Sequence, residues 1–191
     1  MSKQSQSTSR TPKGWPHSIE YITQPRYAAH VPVAIKKHLQ GDGRSVPAAP
    51  CLLVQIRRIT TQAHPAHGQA GLFATRKIAA NTFILDYMGE IHTDVRETSD
   101  YDLSLVRLPA AEFAVGEGDW LSAGVDAARC GNEARFVNDY RGVAPRANAV
   151  FKEGRTGGGE LRIGVWSGSR GIDKNEEIVV SYGKGWWSAR T

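Results

Sequence analysis

From Cys51 onward, apolar residues come in short runs, most too brief for helices and bounded by Gly, Asn and Asp. CLLVQIRRI (51–59), GLFATRKI (71–78) and NTFILDYMGEI (81–91) read as strands, the last two divided by Ala79-Ala80-Asn81. YDLSLV (101–106), ARFVND (134–139), NAVFKE (148–153), ELRIGVWS (160–167) and EIVVSY (177–182) continue the series, and RTGGGE (155–160) reads as a hairpin loop. Helical periodicity is weak; the exception is a short helix expected after Pro32 in AHVPVAIKKHL (29–39). GDGRSVPAAP (41–50) and TTQAHPAHGQ (60–69) read as loops, and no internal repeat is visible. The pattern predicts a mainly β domain. Residues 1–14 are polar and too poor in apolar content to offset their ordering entropy, so they read as a disordered basic tail. Residues 15–50 form an N-terminal flanking region.

Composition narrows the class without naming a function. A chain of 191 residues, 40% hydrophobic and 23% charged, suits one globular domain with a real core. No apolar run reaches the roughly 20 residues of a membrane helix, and the N-terminus lacks the apolar centre of a secretory signal. The expectation is no membrane, with the nucleus or the cytoplasm as location. Cys51 and Cys130 cannot by themselves complete a cysteine-only zinc site, and they read as small buried apolar residues or one disulfide. His64 and His67 have no Cys or acid at ligand spacing, so no metal is expected.

The charge is unevenly spread. Residues 1–60 carry nine Lys/Arg against two Asp/Glu, whereas residues 61–191 carry fifteen against seventeen. A nucleic-acid groove would want the surplus on the folded core, so none is expected; a slightly acidic core fits a basic partner.

One stretch resists a purely structural reading. RFVNDYRG (135–142) runs from apolar residues into an abrupt Asn138-Asp139 turn. Together with GLFATRKIAANTFILDYMGEI (71–91), VDAARCGNEARFVNDYRGVAPRANAVF (125–151) and GIDKNEEIVVSYGKGWW (171–187), in that order, it makes residues 51–187 resemble a SET-domain protein lysine methyltransferase. The resemblance implies a fold of small β-sheets with a few short helices. In it the central block threads under the closing segment in a pseudoknot-like core, with residues 188–191 as the C-terminal end.

The resemblance also implies roles. S-adenosylmethionine is the expected cofactor. Asn138 matches the residue that hydrogen-bonds it with both ends of a carboxamide, which offers donor and acceptor together. Gly71, Leu72 and Phe73 match the turn that holds its methionine part through backbone groups. Arg135, Phe136 and Asp139 lie beside it. Tyr182 matches the closing catalytic tyrosine, Tyr87 a channel-side tyrosine, and Tyr101 an aromatic near the substrate lysine. Phe151 and Val180 match the two positions that set how many methyls are added; neither carries a hydroxyl to anchor a water, so di- or trimethylation is expected. The substrate implied is a basic, lysine-containing protein, first a histone tail, with a non-histone protein or a catalytically silent binding module as alternatives.

Three departures qualify the match. Gln69 replaces the first glycine of the usual Gly-x-Gly, and Asp139 replaces a histidine, followed by Tyr140 and Arg141 in place of Ser and Cys. The zinc-binding cysteine-rich tail is missing; Trp186 and Trp187 follow directly, either covering adenine or channel or plugging the C-terminal end. Glu90, Asp100 and Asp102 read as solvated charges near the peptide groove, and Glu177 as structural.

Overall fold

The computed structural model describes residues 11–43, 47–113 and 118–182. Trp186 and Trp187 lie outside the described residues, as do residues 1–10. The secondary structure is mainly β, in five small sheets. No helix among the described residues is long and apolar enough to cross a membrane.

The strands in chain order are β1 (Glu20–Tyr21), β2 (Arg26–Tyr27), β3 (Val54–Arg58), β4 (Ala70–Ala74), β5 (Phe83–Tyr87), β6 (Glu90–His92) and β7 (Asp102–Pro109). They continue with β8 (Trp120–Asp126), β9 (Cys130–Gly131), β10 (Asn138–Asp139), β11 (Ala149–Arg155), β12 (Leu161–Ser167) and β13 (Val179–Val180). Two helices, α1 (Val33–Gln40) and α2 (Ala110–Phe113), and a single 3-10 turn, Glu133–Phe136, complete the elements. α1 starts after Pro32, whose missing N–H costs nothing at a helix start. Its Ile35 and Leu39, four residues apart on one face, are fully buried.

A four-stranded sheet runs β2-β6-β8-β7, and a three-stranded antiparallel sheet runs β11-β12-β5. β2 and β7 are the edges of the first sheet, β11 and β5 those of the second. The residues of the Thr156–Glu160 loop join β11 to β12, as the glycine run predicts. Two parallel pairs tie distant segments: β1 with β9, and β10 with β13, where Asn138 faces Val179 and Asp139 faces Val180. The second pair brings the central and closing motifs together across some forty residues of sequence, a contact that no periodicity announces.

Segment 134–139 differs from the strand expected of it. Glu133–Phe136 is a 3-10 turn with all four residues buried, and only Asn138–Asp139 is extended. The cause is a set of buried polar anchors. The Glu133 carboxylate accepts from the Cys51 N–H at 3.0 Å and from the Tyr21 hydroxyl at 3.2 Å. Asn132 accepts from the Met88 N–H at 3.2 Å and donates to the Asp86 carbonyl at 2.8 Å. These bonds outweigh the β preference of the apolar residues, because a buried carboxylate must be satisfied. They also attach the 15–50 segment to the central block. The closing strand is likewise shorter than EIVVSY suggests.

Candidate functional site

Two clefts open beside the central block. The smaller, about 280 Å³, is lined by Tyr87, Tyr101, Leu103, Val137, Phe151 and Tyr182, together with the polar Asp100, Asp102 and Ser104. The larger, about 550 Å³, is lined by the 64–70 loop, Phe136, Asn138, Asp139, Arg141 and Pro16. Tyr101, Arg135 and Tyr182, together with Asp100, belong to both. The two spaces therefore meet at a boundary of two phenols and a guanidinium.

Each boundary residue is fixed by its neighbours. Tyr182 donates its hydroxyl to the Val137 carbonyl at 2.8 Å, and its N–H donates to Asp139 Oδ2 at 2.8 Å. Burial, reinforced by the Asp139 carboxylate, holds the Tyr182 phenol above its usual range and hence protonated. Tyr87 donates to the Tyr101 carbonyl at 2.7 Å, and burial also pushes its phenol up. The Tyr87 ring meets Phe151 edge-on at 5.7 Å. Arg135 is buried; its Nε donates to the Ala127 carbonyl at 2.9 Å, and its guanidinium lies 4.1 Å from the centre of the Tyr101 ring.

Asp139 rebuilds the turn that a histidine would otherwise orient. One oxygen accepts from the Arg141 N–H at 2.9 Å, the Arg141 guanidinium bonds both oxygens, and Oδ2 holds the Tyr182 backbone. An acceptor-only side chain suffices because every partner here is a donor.

Val180 is fully buried on β13 in the core, and it is not among the residues lining either cleft. Leu72 is fully buried, and its carbonyl accepts from the Ile178 N–H at 2.7 Å. Phe73 lies under the Arg57 guanidinium at 4.1 Å. A Cβ at Gly71 would lie 2.6 Å from Glu177 Oε1. From this turn it is Gln69 and Ala70 that face the cleft. Gln69 does so without strain, since the left-handed conformation falls to Gly68, at φ 80°.

Sequence reasoning missed two residues here. Glu177 accepts from Asn138 Nδ2 at 2.8 Å and lies 2.9 Å from His64 Nε2, with both side chains buried. A histidine in a loop and an acid in a strand-entry motif give no signal of proximity across 113 positions.

Residues 69–183 match the family model described as SET domain. No curated protein sequence matches the chain. Among solved structures, ATXR5 in complex with a mono-methylated histone H3.1 is similar at TM-score 0.59 and 14% identity, over 87% of this chain and 82% of that one. The ATXR5 SET domain in complex with di-methylated histone H3 gives 0.52 at 19% identity, over 70% and 59%. The Chaetomium thermophilum polycomb repressive complex 2 gives 0.50 at 26% identity over 72% of this chain, which spans only 16% of that one. The two ATXR5 likenesses are likenesses of fold.

Proposed function

We propose that this chain, which belongs to the SET-domain family of protein lysine methyltransferases, moves a methyl group from S-adenosylmethionine to a lysine amine of a histone tail. The observation that carries this is the pair of clefts meeting at Tyr101, Arg135 and Tyr182. Two substrates entering from separate spaces and touching at one boundary is the geometry that in-line transfer requires.

The larger cleft fits S-adenosylmethionine by its chemistry. It offers the Asn138 carboxamide, the Phe136 ring, and Arg141 at its edge. S-adenosylmethionine supplies the methyl on a sulfonium, whose carbon–sulfur bond breaks as the lysine nitrogen bonds to the methyl. The rest of the work belongs to the chain. Asp100 and Asp102 in the lining of the smaller cleft attract a cationic side chain. The aromatic and apolar walls, with the Arg135 guanidinium beside them, then disfavour the ammonium and favour the neutral amine that can attack. A lysine must lose its proton despite an ordinary pKa of about 10.4, and this environment lowers it. The Tyr182 phenol, held protonated and anchored on Val137, presents its oxygen beside the boundary, where it orients the amine and the polarised methyl.

A histone tail is the substrate class proposed, because the ATXR5 structures carry histone H3 and the small cleft carries Asp100 and Asp102 in its lining. A nuclear location follows from that substrate. Titration calorimetry with S-adenosylmethionine tests the reading: one saturable site is expected. No binding at millimolar concentration would instead leave a silent binding module.

A further inference from the structure

We propose that Glu177 and His64 are positioning residues that set which way round the Asn138 carboxamide faces the larger cleft. The inference rests on the proposed function, because it concerns the amide assigned to the cofactor. An Asn side chain is nearly symmetric in shape, and rotation by half a turn exchanges its oxygen and nitrogen. Only its neighbours decide the orientation.

Here the decision runs along a chain of one-directional hydrogen bonds. The Ala66 N–H donates to His64 Nδ1 at 3.0 Å. A ring nitrogen that accepts is unprotonated, so the imidazole is neutral and its proton sits on Nε2. Nε2–H then donates to Glu177 Oε2 at 2.9 Å. Glu177 Oε1 accepts from Asn138 Nδ2 at 2.8 Å. A rotated amide would set oxygen against oxygen in a site where both His64 and Glu177 are over nine-tenths buried. The orientation is thereby fixed: the amine end faces the carboxylate, and Oδ1, to which no described residue donates, is the group left for a ligand.

The arrangement has further support. Gly71 leaves the space that the Glu177 carboxylate fills, since a Cβ would come within 2.6 Å of it. His64 belongs to the loop that lines the cleft and carries Gln69 where glycine is usual. The Glu177 carboxyl lies buried behind Asn138. An acceptor oxygen such as Asn138 Oδ1 suits a protonated amine, and S-adenosylmethionine carries one on its methionine part.

Two measurements test this on the full chain. In the free protein, 15N NMR of His64 should show the Nε2–H tautomer. In Glu177→Gln the single carboxamide oxygen can serve only one of the two donors, so either the His64 tautomer or the Asn138 amide orientation must change. In calorimetry, Glu177→Gln and His64→Ala should weaken S-adenosylmethionine at least about tenfold. In turnover the effect should fall on KM for that substrate, with kcat reduced less than about threefold. His64→Gln, which keeps an N–H donor, should recover part of the affinity. A wild-type chain that binds no S-adenosylmethionine overturns the proposed function and this inference with it. A wild-type chain that binds, with Glu177→Gln binding equally well or His64 in the Nδ1–H tautomer, overturns the inference alone.

Discussion

Asn138 and Tyr182 carry most of the account, and each makes a separate prediction. Asn138→Ala removes the acceptor proposed for the ligand and leaves Glu177 Oε1 without its partner. S-adenosylmethionine affinity should fall by about ten- to a hundredfold, the equivalent of roughly 1.5–3 kcal/mol, while circular dichroism still reports a folded β protein. A fall of less than threefold would make Asn138 only a turn residue. Tyr182→Phe removes the hydroxyl and spares the ring. It should keep S-adenosylmethionine affinity and lower turnover about a hundredfold, measured with saturating peptide; equal turnover would remove the hydroxyl from the reaction. Phe151 walls the small cleft beside Tyr87, with no hydroxyl to hold a water there. The native chain should therefore add two or three methyls. Phe151→Tyr should anchor a water in that space and shift the product toward monomethyl-lysine, read by mass spectrometry at completion. A native enzyme that stops at one methyl contradicts this.

At the scale of elements, legibility followed side-chain pattern. β3, β4, β5, β11 and β12 are visible as short apolar runs bounded by Gly, Asn and Asp. β8, Trp120–Asp126, escaped notice although it is an inner strand of the four-stranded sheet. Its centre is Ser122-Ala123-Gly124, small residues that carry no alternation. β1, β2 and β9 are two residues each, below the length at which a pattern exists. The 3-10 turn was hidden for the opposite reason: Ala134, Arg135, Phe136 and Val137 look like a strand until Glu133 and Asn132 are known to be buried and bonded to distant backbone. The site was legible as motifs in order, through Tyr87, Tyr101, Arg135 and Asn138. Glu177, which meets Asn138, and His64 behind it are brought there by tertiary contact alone. α1 offers an energetic test of the 15–50 segment. Leu39 is fully buried in the main core. Leu39→Ala should cost about 2–5 kcal/mol in denaturant unfolding, as a single transition of the whole domain. A cost under 1 kcal/mol would mean that α1 is peripheral to the cooperative unit.

Across the whole molecule, burial of phenols sets the alkaline limit. Tyr21, Tyr27, Tyr87 and Tyr182 are all pushed above their usual range, with burial the largest cause. Above pH about 10 the unfolded chain gives up phenolic protons that the folded chain retains, so ionisation favours unfolding. Their contribution to stability is therefore constant below that pH and lost above it. The melting temperature should fall as pH is raised from about 10 to 11, in step with tyrosinate absorbance, and an unchanged melting temperature through that range would contradict the buried phenols.

Two clefts that meet at Tyr101, Arg135 and Tyr182 define the central claim: a methyl group passes between two substrates held on either side of Tyr182. Tandem mass spectrometry of histone H3 tail peptides incubated with S-adenosylmethionine tests it most directly. The account predicts methyl groups on a lysine side-chain nitrogen, formed by the native chain and suppressed about a hundredfold by Tyr182→Phe. Unmodified peptides from a folded native chain that binds both S-adenosylmethionine and peptide would contradict it.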